Sequence, residues 1–149
     1  MTWVDGLAEH LPGLPGAGEL VWRDPDTGGG YTDTEWGVVT GPVPDHPPRV
    51  VGVTGYGGTD SDSRLPYDEP SVQLRVRGTA DERVSRRMAQ ALYDALHGAG
   101  PLVLPDGTRV QLVRGRQGGP LTLGLDPGGR HEHTVNLAVE INKATEHRP

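Results

Sequence analysis

Residues 71–98 read SVQLRVRGTADERVSRRMAQALYDALHG, and the fold is decided there. The first seven residues alternate. Val72, Leu74 and Val76 fall on one side, and Gln73, Arg75 and Arg77 on the other. Alternation with period two describes a strand with one face on a core and one toward water. After Gly78 the period lengthens. Val84, Met88, Ala91, Leu92, Ala95 and Leu96 make one helical stripe, opposite Arg83, Arg87, Gln90 and Asp94. Thr79 and Glu82 have the spacing of a capping box, and Gly98 stands where a helix commonly ends. A half-buried strand feeding an amphipathic helix predicts an α+β layer pair.

Toward the C-terminus, Leu102–Leu104 and Thr108–Arg114 flank the hairpin signal Pro105-Asp106-Gly107. Leu121–Leu125 reads as a strand, and Asp126-Pro127-Gly128-Gly129 turns it into a last strand over His131–Ile141. In that strand Val135, Leu137, Val139 and Ile141 oppose Thr134, Asn136, Ala138 and Glu140. The polar tail, about 142–149, is expected to be mobile unless docked. Toward the N-terminus, Glu19–Arg23, Trp36–Thr40 and Val50–Thr54 are further strands. Thr2 and Asp5 introduce a short helix that Pro12 ends. The expected architecture is a single α+β domain over 1–149. It has a mostly antiparallel mixed sheet of about five to seven strands, with one long and one short helix packed on one face, and long loops.

Composition narrows the function. The 149 residues include no cysteine, which excludes disulfide frameworks and thiolate metal sites. No apolar run approaches the ~20 residues of a membrane span and no signal-peptide pattern opens the chain, so the expectation is a soluble protein that no signal peptide exports. The 23 glycines and 14 prolines cluster in Pro12–Gly18, Asp24–Gly30, Pro42–Pro48 and Gly55–Pro70. With no Phe, the core is thin, and oligomerisation is a common remedy for a thin core. Residues 1–70 carry twelve acidic and three basic side chains; residues 71–149 carry eight and eleven. Oppositely charged ends suit a head-to-tail contact between copies, and such a contact can close a ring. The overall charge of −6 argues against a dedicated nucleic-acid binder.

Candidate chemistry is sparse. Asp24, Asp26, Gly29 and Glu35 match positions 1, 3, 6 and 12 of a calcium loop, but Gly28 removes a ligand and the flanks read as strands. The alternative reading is a solvated acidic loop. His131 and His133 share a strand face without a third ligand for zinc or nickel. Asp60-Ser61-Asp62 could hold a divalent metal with a nucleotide sugar, yet no nucleotide-binding βαβ unit stands nearby. Neither Gly28–Gly30 nor Gly55–Gly58 leads into the Lys-Ser/Thr of a phosphate loop. No catalytic pair, cofactor site or metal site is assigned. The long segment Gly55–Pro70 carries Asp60, Asp62, Asp68 and Glu69 against Arg64 alone, and is expected to order only against a partner. With Arg75, Arg77, Arg83, Arg86 and Arg87, those four acidic residues form the interface candidates.

Three stretches carry a resemblance. They are Pro70-Ser-Val-Gln-Leu-Arg-Val-Arg-Gly78; Ala91-Leu-Tyr-Asp-Ala-Leu-His-Gly98; and Gly119–Arg130 leading to Thr134-Val-Asn-Leu-Ala-Val-Glu-Ile141. In order and spacing, together with Val21-Trp22, Gly37-Val-Val and Arg49-Val-Val-Gly-Val, they resemble the phage minor capsid protein family whose members act as tail terminators. The resemblance spans roughly Leu7 to Ile141. It implies a lambda-type terminator fold, a non-enzymatic virion protein at the tail–neck junction of a long-tailed phage, and assembly in the bacterial host cytoplasm. It implies a homohexameric ring between the tail tube protein and a head-completion or stopper protein. Genomic DNA would pass through the lumen without specific binding, and no membrane or cofactor is involved. The alternatives are another neck component, such as a stopper or head–tail adaptor, and a small calcium-binding protein using Asp24, Asp26 and Glu35.

Overall fold

A computed structural model describes residues 2–149. Helix α1 (Trp3–His10) runs into a 3-10 turn over Leu11–Gly13. The strands are β1 (Leu20–Trp22), β2 (Trp36–Thr40), β3 (Arg49–Tyr56), β4 (Tyr67–Asp68) and β5 (Ser71–Arg77). Helix α2 (Glu82–Leu96) follows, then β6 (Leu102–Val103), β7 (Arg109–Gly115), β8 (Leu121–Leu125) and β9 (His131–Asn142). The sheet order is β1-β2-β3-β5-β9-β7-β6, with β4 and β8 also on β9. Pairing is parallel for β1–β2 and β2–β3 and antiparallel elsewhere.

The twelve-residue β9 organises the sheet. β5 pairs with Glu132–Ala138 and β4 with Ile141–Asn142, so together they act as one interrupted strand along one edge. β7 and β8 do the same along the other edge, over 137–142 and 131–134. Strands along most of both edges explain why β9 is buried over most of its length, polar positions included.

Register separates the two faces. Val51, Val53, Val72, Leu74, Val76, Val135, Leu137, Val139, Ile141, Val110 and Val113 share one face and a single core with Leu7, Leu11, Met88 and Leu92 of the helical layer. Both helices therefore cover one side, as the alternation in β5 predicts. Each such side chain contributes about 1.5–3 kcal/mol on burial. The opposite face carries Gln73, Arg75, Arg77, Glu132, Thr134 and Asn136.

Two local expectations are corrected. The N-cap of α2 is Asp81, whose carboxylate accepts the Arg83 N–H at 3.0 Å; Thr79 accepts the Asp81 N–H instead. Thr79 is held in the ladder by its carbonyl's bond from the His131 N–H, so the helix starts later. Glu82 turns to Arg86, 3.6 Å away, rather than closing a box. The second correction is the strand count, nine instead of about five to seven; the strand not foreseen is β4, two residues inside the long acidic segment. Gly98 does follow the helix, with φ +82, a value that favours glycine.

Candidate assembly surfaces

The parallel step from β2 to β3 has no crossover helix. The chain returns through Gly41–Pro48, across the polar face. Gly52 makes room for it, since a Cβ there would sit 2.7 Å from Val43 Cγ2. Four prolines in this return (Pro42, Pro44, Pro47, Pro48) remove backbone donors and leave carbonyls needing partners. Arg77 supplies them. Its Nε donates to the Pro48 carbonyl at 2.8 Å. Its Nη2 reaches the carbonyls of Pro44, Asp45 and Pro47 at 2.6, 3.1 and 2.8 Å. Arg77 is 3% exposed, so it is an internal clamp and not the outward side chain that alternation alone suggests. Arg75 remains half exposed and pairs with Glu132 at 2.6 Å. Together with Thr54, Gln73 and Pro42 they line a cleft of about 350 Å³.

The acidic segment is also corrected. Residues 57–70 are anchored within the chain. Asp62 accepts the N–H groups of Arg64 and Leu65, which hold its carboxyl below the usual range. Asp68 pairs with Arg148 at 2.8 Å, and that guanidinium lowers its pKa. Glu69 pairs with Arg114. Asp60 is exposed, with no ion pair among the described residues. The C-terminal tail is docked here: Lys143 N–H bonds to the Pro66 carbonyl, and Arg148 also reaches the Asp62 carbonyl.

On α2, Arg83 pairs with its own N-cap Asp81 at 3.0 Å and Arg86 with Glu82. Arg87 is exposed and has no ion pair among the described residues. With Gln90, Ala91 and Asp94, the three arginines line a shallow groove.

The loop 24–35 does not gather its carboxylates. Both Glu35 oxygens accept from Arg23, at 2.7 and 2.6 Å, and the Thr32 N–H adds a third bond; these hold the carboxyl down to about 2. Asp24 accepts the Asp26 N–H, a tight local turn. An arginine thus occupies the position where a calcium ion would need the final carboxylate.

One constellation was not foreseen. Ser85 Oγ and His133 Nδ1 lie 2.8 Å apart, and His133 Nε2 lies 3.3 Å from Glu82 Oε1. The Nε2–Glu82 approach misses hydrogen-bond direction, leaving Nε2 unpartnered. Ser85 is 0% and His133 1% exposed, so no substrate reaches this hydroxyl. Burial pushes the imidazole pKa down, partly offset by Glu82. It is a buried polar tie between α2 and β9.

The exposed apolar side chains include Leu121, Leu123 and Leu125 of β8, at 41, 49 and 62%. No helix among the described residues is long and apolar enough to cross a membrane.

A family model described as bacteriophage tail terminator protein matches residues 19–143. The match opens one residue before β1 and closes one residue after β9, so it covers the whole sheet and α2. No curated protein matches the chain.

Proposed function

The chain belongs to the bacteriophage tail terminator family, and from that premise we propose that six copies form a ring on the last ring of the tail tube, stop its growth and join it to the neck. As a tail terminator it is a structural protein of the virion tail, and its family is not an enzyme family. The observation that carries the proposal is the extent of the match, which takes in every strand of the sheet.

The mechanism follows from how a tube grows. Each tube ring exposes edges that recruit the next ring. A terminator binds that growing face and presents a different surface beyond it, so addition ceases. The anchored acidic segment 57–70, with Asp60 outward, is a candidate contact with the tube or the neck. Arg87 and the half-exposed Arg75 are candidate contacts with acidic neighbours. A net charge of −6 suits a lumen through which DNA slides, because phosphate contacts with counterion release would retard it.

The test is genetic. With this gene interrupted, electron microscopy is expected to show tails of irregular, excessive length lacking heads. Tails of normal length joined to heads would contradict the proposal.

A further inference from the structure

We infer that the ring is closed by a head-to-tail continuation of the sheet, in which the free edge of β8 in one copy pairs with the free edge of β1 in the next. This rests on the ring reading above and adds which surfaces make it.

The outer edge of β7 is covered within the chain. β6 pairs with Arg109 and Val110, and the backbone at Gly98 and Ala99 bonds to Val113. That cover stops before β8. Among the described residues β8 pairs only with β9, so its outer edge offers unpaired backbone groups. Edge strands of this kind recruit other strands, and proteins ordinarily blunt them with lysine, proline or inward charge. β8 reads Leu-Thr-Leu-Gly-Leu, with no charge and no proline inside it. Its only irregularity is a register shift between Thr122 and Gly124. Three exposed leucines on an edge blunted by that one irregularity alone are a surface that a further strand can cover.

The other end of the sheet offers the complement. β1 is the terminal strand, and among the described residues no strand pairs with its outer edge. Beside it Trp22, Pro25, Asp5, Asp24 and Asp26 line a cleft of about 230 Å³, an apolar wall ringed by carboxylates. Charge selects the pairing. Residues 1–48 carry eight Asp and Glu against Arg23 alone, whereas residues 81–130, which contain α2 and β6–β8, carry five against seven Arg. Arg86 lies 3.6 Å from Glu82, which lies 3.3 Å from His133, the register partner of Thr122, so a basic side chain of α2 stands one carboxylate away from the β8–β9 pair. Two β8 edges meeting would bring like charges together; β8 meeting β1 brings opposite ones. Because the two edges differ and lie at opposite ends of one sheet, the contact is heterologous, the kind that generates rings.

The absence of native cysteine makes the test clean. Tails are assembled in cells whose only copy of the gene carries Val21→Cys with Leu123→Cys. They are purified, treated with a short bis-maleimide and run on a denaturing gel. A second pair, Glu19→Cys with Leu125→Cys, lies at exposed positions and guards against a folding defect at Val21. The expected result is a ladder from dimer up to a closed multimer with the paired variants, and monomer only with each single cysteine. Dimers from Leu123→Cys alone would show β8 meeting β8 and overturn the inference. Cross-linking to a different tail protein would overturn it as well. Capped tails that contain the chain but give no ladder with either pair would overturn it while leaving the capping reading intact. Tails of normal length from which the chain is absent would refute that reading, and the inference with it.

Discussion

Replacing Arg77 by Met tests how the polar face is held. Arg77 makes four hydrogen bonds to the carbonyls of Pro44, Asp45, Pro47 and Pro48 and is almost wholly buried. A hydrogen bond from a charged donor contributes about 1.5–3 kcal/mol net. The four do not add, because Nη2 shares two hydrogens among three carbonyls and the carbonyls beside the cleft can take up water. Removing the guanidinium is therefore expected to cost about 3–5 kcal/mol, in line with breaking a buried charged contact. Domains of this size are stable by about 5–15 kcal/mol, so the loss is a large share. At about 2–4 °C per kcal/mol the unfolding midpoint falls by roughly 6–20 °C. Arg77→Lys keeps the charge but not the fork, and is expected to recover about half of the loss. Calorimetry reads the midpoint, and amide exchange at Val43 and Asp45 reads the loop. A Met variant within about 1 kcal/mol of the parent would refute the clamp.

Other perturbations have equally definite outcomes. Leu92→Ala, in the centre of the α2 contact with the sheet, is expected to cost about 2–5 kcal/mol in urea unfolding; a loss under about 1 would mean that α2 packs loosely. Gly52→Ala pushes a methyl against Val43 and is expected to lower stability by about 1–3 kcal/mol, whereas Val43→Ala in the same chain restores part of it; an additive double variant would deny the contact. His133 carries a folded-state pKa lowered by burial, with Glu82 opposing and His131 and Arg86 reinforcing; Ser85 faces its other nitrogen. Its contribution is full above about pH 6.5 and is lost as pH falls from there through the lowered value, with His10 acting in the same direction. Unfolding midpoints measured down to about pH 5 should fall, and His133→Gln should flatten the fall; an unchanged slope would remove His133 as its source.

How much was legible follows from periodicity. β5, α2 and the Val135–Ile141 alternation are readable because one face of each meets a core and the pattern repeats several times, whereas β8 shows the alternation although its leucines stay exposed. β4 is two residues long, too short for any period to show, whereas the equally short β6 was readable only through the Pro105-Asp106-Gly107 turn that joins it to β7. The parallel β1–β2–β3 end was not readable as parallel, because its connections lack the crossover helix that usually announces such pairing. Arg77 was placed on the correct face yet looked outward, since its burial depends on a proline-rich return 29–33 residues earlier in the chain. The same distance hid the partners of the acidic segment: Asp68 meets Arg148, 80 residues away, and Glu69 meets Arg114, 45 away. Such pairs leave no local trace. The Ser85–His133 tie spans 48 residues and was equally invisible, although an unexplained histidine in an apolar strand was a signal that could have raised it.

The ring is tested most directly by a density map of the neck of the intact phage by electron cryomicroscopy, with this fold located in it. Six copies are expected in a single ring on the head-proximal end of the tail tube, β8 of each beside β1 of the next. Finding the chain elsewhere in the particle, or as separate copies not joined in a ring, would contradict that expectation.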